Sequence, residues 1–242
     1  MTDQKDTRPL AGRLALVTGA SRGIGAATAQ ALAADGAHVI LVARSVPDLE
    51  KVEDAIHAAG GNATIAPLDL IDGESIGRLA QAVSGRWAAL DVLVLNAATL
   101  GTLASVPAID VKEFARQLTL NVAAPQALIA AFDPMLRASK DARVIGLSTG
   151  VAAANPRAYW GAYGASKAAL DVLIAAYGKE VGNISAIRTH IVDPGATRTT
   201  MRARAYPGED PATLKTPDVV GRAIADLVAS DAADGTRIAL PK

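Results

Sequence analysis

"RLALVTGASRGIGAATAQALAADG" (residues 13–36) places three features in the order that an α/β fold needs. The run 13–20 is apolar and stops at glycine, which predicts a buried strand. The turn "TGASRGIG" (18–25) holds three glycines, and the alanine-rich segment after it ends at Gly36, as helices commonly do. Glycines let the backbone approach a phosphate, and a helix N-terminus offers it free N–H groups. The stretch therefore predicts a dinucleotide site, with an ordinary glycine turn as the alternative.

The rest of the chain repeats this alternation of short apolar runs and longer segments with helical spacing. Further strands are predicted at residues 37–44, 63–70, 89–98, 142–149, 186–195 and 236–240. Helices are predicted at residues 47–61, 74–87, 110–138, 163–181 and 217–230. Apolar strands are buried on both faces, and strand–helix alternation gives a parallel sheet with helices on both sides. We therefore predict one doubly wound α/β domain over residues 1–242, with a flexible tail at 1–10.

Composition and charge exclude several classes of function. The 242 residues carry 24 basic and 24 acidic side chains, so no excess charge favours nucleic acid or an anionic membrane. There is no cysteine, and the three histidines lack ligand spacing, so we expect no disulfide and no metal site. The N-terminus is polar, and no apolar run approaches the roughly 20 residues of a membrane span. The cytoplasm is the expected compartment.

The end of the second predicted strand indicates which dinucleotide is bound. An acidic residue there would hold a ribose 2′-hydroxyl and repel a 2′-phosphate. This chain has Ala43 and Arg44 instead, and Arg22 lies in the glycine turn. Two guanidinium groups favour a phosphate, which arginine binds with two hydrogen bonds. We therefore expect NADP(H) rather than NAD(H), unless both arginines are solvated surface residues.

"YGASK" (163–167) supplies a candidate pair for proton transfer. Tyr163 and Lys167 are four residues apart and lie on one face of a helix. A nearby ammonium group lowers the pKa of a phenol, so Lys167 is expected to lower the pKa of Tyr163 toward neutral pH. Tyr159 and Tyr177 have no lysine at that spacing. An exposed helical pair is the alternative for this motif taken alone.

Five motifs follow one another in a specific order: the glycine turn, "LNAA" (95–98), "LNVAAP" (120–125), "YGASK" and "DPGATRTTM" (193–201). In this combination the chain resembles the short-chain dehydrogenase/reductase family from about residue 11 to its end. The resemblance implies a Rossmann-like fold, a small-molecule carbonyl or alcohol substrate, and a homodimer or homotetramer built on the long helices.

The resemblance also implies the cofactor-binding residues. Asp69 would bond the adenine beside Leu70, and Asn96 would steady the sheet where the family usually has Asn-Asn-Ala-Gly. Thr197 and Thr199 would contact the carboxamide or the pyrophosphate. The full implied set is Thr18, Gly19, Ser21, Arg22, Gly23, Ile24, Gly25, Arg44, Asp69, Leu70, Asn96, Ala97, Lys167, Pro194, Gly195, Thr197 and Thr199.

The same resemblance implies catalytic roles. Tyr163 would exchange a proton with the substrate oxygen, and Lys167 would lower its pKa and bond the nicotinamide ribose. Asn121 would hold a water in a proton relay, or would simply be a buried polar residue bonded to backbone. The hydroxyl that orients the carbonyl is Thr149 by strand register or its neighbour Ser148, and counting thirteen residues back from Tyr163 reaches Gly150, which has no hydroxyl. Neighbours in an extended chain point to opposite faces, so only one of the two should serve.

The substrate is less visible in the sequence. Tyr159, Trp160, Met201 and Tyr206 are candidates for an apolar substrate pocket, and residues 195–216 for a lid over it. Packing of the loop, or contact with a partner subunit, is the alternative for the aromatic residues. Two other functions stay open: an NAD(P)-binding redox sensor with weak catalysis, and an NAD-linked alcohol dehydrogenase.

Overall fold

The computed structural model describes residues 7–152 and 155–241, which contain a parallel sheet. Its seven strands lie in the order β3-β2-β1-β4-β5-β6-β7, and every neighbouring pair is parallel. The strands β1 to β7 are Leu14–Thr18, His38–Ala43, Asn62–Pro67, Val92–Leu95, Ala142–Leu147, Ile187–Asp193 and Thr236–Ala239. This is the predicted doubly wound, Rossmann-like single domain, because the chain runs outward from β1 on one side and then outward from β4 on the other.

Helices cover both faces of the sheet. In the described chain α1 to α8 are Gly23–Ala34, Val46–Ala58, Gly73–Ser84, Val111–Leu118, Ala124–Ala138, Gly161–Val181, Thr200–Ala205 and Pro217–Ala229. Apolar side chains of α1, α2 and α8 pack on one face, and those of α3, α5 and α6 pack on the other. Small residues allow close helix contact: a Cβ on Gly221 of α8 would lie 2.6 Å from the Ala27 backbone of α1.

The order in which the strands are added to the sheet reverses between β1 and β4. The loops after these two strands separate toward opposite faces and leave a crevice at the carboxyl edge of the sheet. In such sheets this crevice is where ligands bind, and every candidate motif of the sequence follows a strand at this edge or lies on a helix beside it. The fold therefore gathers the predicted site residues at one place.

Two predicted elements differ in the structure. The helix expected over 110–138 is split by a π-helical turn, Thr119–Ala123, between α4 and α5. Pro125, at the start of α5, has no N–H for a regular helical bond, which favours such a break. The expected loop 195–216 contains the short helix α7, and a bridge between Thr197 and Lys215 closes its base.

The predicted tail is ordered at its C-terminal end. Leu10 is fully buried and donates its backbone N–H to the Asp35 carbonyl at the end of α1. Residues 1–6 lie outside the described chain. None of the helices within residues 7–152 and 155–241 combines the length and apolar character that a bilayer-spanning segment requires.

Candidate active site

At two positions the backbone of the glycine turn is so close to other atoms that only glycine fits. Gly19 has φ +66°, and a Cβ there would lie 2.8 Å from Asn96 Nδ2. A Cβ on Gly25 would overlap the Gly19 carbonyl oxygen and lie 2.5 Å from Asn96 Nδ2. The turn thus forms a cradle of bare backbone at the N-terminus of α1. These residues fit a dinucleotide pyrophosphate, which needs such a close approach and free N–H groups.

Thr18 and Asn96 join the glycine turn to the loop after β4. The Thr18 hydroxyl donates to the Val94 carbonyl at 3.0 Å and accepts the backbone N–H groups of Asn96 and Ala97, each at 3.0 Å. In return, Asn96 Nδ2 donates to the Thr18 carbonyl at 2.7 Å. Hydrogen bonds therefore fix the two walls of the crevice to each other.

The segment after β6 closes over the glycine turn. Thr199 caps α7 by accepting the Arg202 N–H at 3.1 Å, and its methyl carbon would lie 3.5 Å from a Cβ on Gly23. Thr197 is buried, and its hydroxyl donates to the Pro194 carbonyl at 3.0 Å. A cleft of about 480 Å³ lies between Gly23 and residues 198–217.

The two arginines that the sequence predicts for binding a 2′-phosphate, Arg22 and Arg44, are surface residues. Arg22 is exposed between the glycines, whereas Ser21 and Ile24 are half-buried. Arg44, exposed after β2, has its guanidinium 3.9 Å from the Asp69 carboxylate. Leu70 beside Asp69 is buried.

Tyr163 is buried near the N-terminus of α6 among Leu100, Val151 and the edge of Trp160. Burial raises the pKa of its phenol, and the nearby Asp193 carboxylate raises it further. The expectation that Lys167 lowers this pKa is not met here, because the loss of water around the phenol dominates. A phenol with a raised pKa stays protonated at neutral pH, which is the state a proton donor needs.

Lys167 is also buried and lies one helical turn from Tyr163. Its Nζ donates to the Leu147 carbonyl, the last of β5, at 2.7 Å. Burial lowers the pKa of Lys167 to about 8, and the Asp171 carboxylate opposes this by raising it. The ammonium form therefore predominates at pH 7 and is lost as the pH rises through about 8.

Asn121 lies fully buried in the π-helical turn. Its Oδ1 accepts the Thr99 N–H at 2.8 Å, and its Nδ2 donates to the Thr99 carbonyl at 2.9 Å and to Ser166 Oγ at 3.0 Å. Ser166 Oγ donates to the Tyr163 carbonyl at 2.8 Å. Asn121 thus ties the loop after β4 to the helix that carries Tyr163.

The two candidate hydroxyls have different surroundings. Ser148 is buried directly after β5, and Arg237 Nη2 lies 3.4 Å from its Oγ. Thr149 is half-buried, and its Oγ1 accepts the Val151 N–H at 3.4 Å. Residues 153–154, between these hydroxyls and Tyr163, lie outside the described chain.

Two of the predicted substrate residues meet Tyr163. Trp160 packs edge-on to the Tyr163 ring at 6.0 Å and also against Tyr206 at 5.6 Å, and Met201 packs on the Tyr163 cluster. Tyr159 does not join them, because it is 64% exposed and has a positive φ of 70°. Sequence reasoning missed Leu100, Val151, Asp193 and the Asp171–Arg237 ion pair; only Asp171 carried a signal, its spacing of four from Lys167.

Comparison with known proteins agrees with this geometry. Residues 13–210 match the family model for short chain dehydrogenases. YciK of Escherichia coli K12, an oxidoreductase, is 35% identical over 208 residues, covering 85% of this chain and 81% of YciK. The 3-oxoacyl-[acyl-carrier-protein] reductase of rhamnolipid biosynthesis in Pseudomonas aeruginosa is 37% identical, covering 85% of this chain and 80% of that one. The chain spans only 58% to 64% of some longer relatives.

Solved structures of the same fold hold a cofactor. A short chain dehydrogenase of Escherichia coli CFT073, complexed with NADPH, superposes with a TM-score of 0.91 at 33% identity. The match covers 97% of this chain and 98% of that one. Other structures with this fold are complexed with NADP.

Proposed function

Because the chain belongs to the short-chain dehydrogenase/reductase family, whose members are oxidoreductases acting on CH–OH or carbonyl groups, we propose that it is an NADP(H)-dependent carbonyl reductase with Tyr163 as proton donor. One observation carries the proposal: Tyr163 and Lys167 lie buried on adjacent turns of α6, beside the carboxyl end of β5. In the alternative interpretation, an exposed pair on the helix surface, both side chains would stay hydrated.

The proposed chemistry divides between cofactor and protein. When bound, NADPH supplies a hydride to the carbonyl carbon of the substrate. Tyr163 gives its phenolic proton to the carbonyl oxygen as negative charge develops there, so that the product is an alcohol. Lys167, as the ammonium form, stabilises the resulting tyrosinate and would bond the nicotinamide ribose. Asn121 holds α6 against the loop after β4. It would also hold a water in the relay that returns a proton from solvent to Tyr163. The reverse oxidation would use the same groups.

Thr149 is the hydroxyl that we propose orients the carbonyl. Ser148 is buried against Arg237, whereas Thr149 makes one long bond to its own loop. Removing one donor to a developing oxyanion costs about 10² to 10³ in kcat. We therefore expect Thr149→Ala to lower kcat about 100-fold and Thr149→Ser to restore most of it, while Ser148→Ala lowers kcat less than about 5-fold, in steady-state assays. A larger loss in Ser148→Ala than in Thr149→Ala would reverse the assignment.

The preference for NADP(H) is proposed to depend on Arg44 together with Arg22. A hydrogen bond to a charged group is worth about 1.5–3 kcal/mol, and an aspartate would add repulsion of the 2′-phosphate. We expect Arg44→Asp to lower the ratio of NADPH to NADH affinity about 100-fold, measured by cofactor fluorescence. The matched control is Arg86→Asp, which makes the same change at an exposed arginine. Arg86 follows α3, at the amino edge of the sheet, and its substitution should leave the ratio unchanged. An unchanged ratio in Arg44→Asp would place the 2′-phosphate elsewhere.

NADPH consumption, with NADH in parallel, tests the reductase assignment. The panel should include ketones, aldehydes, quinones and 3-oxoacyl thioesters. The thioesters are included because one relative is named as a 3-oxoacyl-[acyl-carrier-protein] reductase. Turnover of one class, faster with NADPH, is the expected result. Faster turnover with NADH would favour the NAD-linked alcohol dehydrogenase, and tight NADPH binding without any turnover would favour the redox sensor.

Four further expectations concern the substrate pocket, the lid, the oligomer and the location. Trp160 and Met201 would line the substrate pocket with Tyr163, and residues 195–216, which include α7, would act as the lid over it. We propose a homodimer or homotetramer through α5 and α6, on which Val172 is a 67% exposed apolar side chain. Sedimentation velocity should then give a mass at least twice that of one chain.

The cytoplasm remains the predicted location, to be checked by fractionation.

A further inference from the structure

An ion pair is formed by the acidic residue one turn after Lys167 on α6. Asp171 follows Lys167 by one turn of α6, and its Oδ2 lies 2.7 Å from Nη1 of Arg237 on β7. The Asp171 side chain is 14% exposed and that of Arg237 is 46% exposed. The other guanidinium nitrogen of Arg237 reaches Ser148 Oγ at 3.4 Å. One arginine from the last strand therefore connects the helix of Lys167 to the end of β5.

The Asp171 carboxylate is only half satisfied. Within the described chain its Oδ1 is buried and has no hydrogen-bond partner. A buried acceptor of this kind is costly unless a nearby charge or ligand compensates for it. The cation one turn away on the same helix is Lys167, which donates to the Leu147 carbonyl. Asp171 is thus a fixed negative charge beside a buried ammonium group.

We propose that the Asp171–Arg237 ion pair is a positioning element for the site: Asp171 keeps Lys167 in the ammonium form, and Arg237 orients Asp171 and engages the Ser148 hydroxyl. This proposal rests on the proposed function, because it assumes that the Lys167 ammonium helps to bind NADPH. It also gives Ser148 a partner on β7 that Thr149 does not have.

Asp171 and Arg237 carry opposite charges and should therefore have opposite effects on the pKa of Lys167, which can be tested. Burial lowers the pKa of Lys167 to about 8, and Asp171 raises it. The other charged or titratable groups here are Arg237 on β7, Tyr163 on α6, Asp193 at the end of β6, which acts on Tyr163, and Lys215, which is influenced by Asp193. Removing the Asp171 charge should therefore make Lys167 lose its proton at lower pH, and removing the Arg237 charge should not.

The experiment measures NADPH affinity from pH 7 to 10 by cofactor fluorescence, together with the pH profile of kcat/KM. We expect the alkaline midpoint of both profiles to fall by about one pH unit in Asp171→Asn, because the carboxylate would no longer offset the effect of burial on the pKa of Lys167. In Arg237→Gln the midpoint should stay or rise. Asp171→Glu and Arg237→Lys, which keep the charges, should retain the wild-type midpoint.

Matched controls come from a second ion pair at the amino edge of the sheet. Asp226 and Arg222 pair on α8 at 2.8 Å, and Arg222 also pairs with Asp35 at the end of α1. Asp226→Asn and Arg222→Gln make the same charge changes far from Lys167 and should leave both midpoints unchanged. Thermal unfolding of each variant separates loss of stability from a change of midpoint.

The outcomes separate this proposal from the proposed function. An unchanged midpoint in Asp171→Asn, or equal falls in Asp171→Asn and Arg237→Gln, would overturn the positioning role while leaving the reductase assignment intact. A wild-type protein that binds no NADPH would overturn both. A fall of the midpoint in Asp171→Asn without a fall in Arg237→Gln, with both charge-retaining variants normal, would support the ion pair as a positioning element.

Discussion

Replacing Tyr163 with phenylalanine is expected to abolish turnover while leaving NADPH bound as tightly as in the wild type. The substitution removes one hydroxyl from a buried ring and keeps its contacts with Leu100, Val151 and Trp160. A positioned proton donor contributes about 10² to 10⁴ in rate, so kcat should fall about 10³-fold. Steady-state NADPH consumption gives kcat, and fluorescence titration gives the Kd for NADPH.

Tyr177 provides the matched control for Tyr163. It lies on the same helix, is buried, and its hydroxyl donates to Asp133 Oδ1 at 2.7 Å. Tyr177→Phe should lower the free energy of unfolding by about 1–3 kcal/mol, because a hydrogen bond to a carboxylate is lost, and should leave kcat unchanged. Turnover in Tyr163→Phe within 10-fold of the wild type would show that another group supplies the proton.

Replacing Gly25 with alanine is expected to damage both stability and cofactor binding. The added methyl group would overlap the Gly19 carbonyl and lie 2.5 Å from Asn96 Nδ2, and neither the backbone of the turn nor the Thr18–Asn96 clamp is free to move. Overpacking of this kind costs about 1–3 kcal/mol. Chemical denaturation should show that loss, and the Kd for NADPH should rise at least about 10-fold, because any relief of the clash widens the cradle.

Gly77 is the control for Gly25. It lies in α3 with open space around the position of a Cβ. Gly77→Ala should therefore stabilise the protein by about 0.5–1 kcal/mol, since alanine loses less backbone freedom than glycine in a helix. If Gly25→Ala bound NADPH as well as Gly77→Ala does, the glycine turn would not be the pyrophosphate cradle.

The fold was predictable because its signals are local. Each strand is a short apolar run such as 37–44, and each glycine or proline that ends an element acts through its own backbone. The switch point between β1 and β4 follows from the order of strands and helices alone. The family resemblance assigned Thr18, Asn96 and Tyr163 to one site, and the structure brings these three residues to the same edge of the sheet.

What the sequence did not predict depends on contacts between distant segments. The pKa of Tyr163 is raised because Leu100 and Val151 exclude water, and neither residue is near Tyr163 in the chain. The contact of Arg237 with Ser148 joins residues 89 positions apart. The π-helical turn that carries Asn121 breaks a helix whose apolar spacing continues through it, so periodicity alone gave one long helix.

Deuterium transfer from NADPH tests the central claim most directly. NADPH labelled with deuterium on the transferred position of C4 would be incubated with the protein and the carbonyl substrate found in the panel, and the alcohol analysed by mass spectrometry and NMR. Direct hydride transfer predicts one deuterium on the former carbonyl carbon. With Tyr163→Phe in place of the wild type, no labelled alcohol should form. An alcohol without the label, or NADPH that is bound and never consumed, would contradict the assignment as a carbonyl reductase.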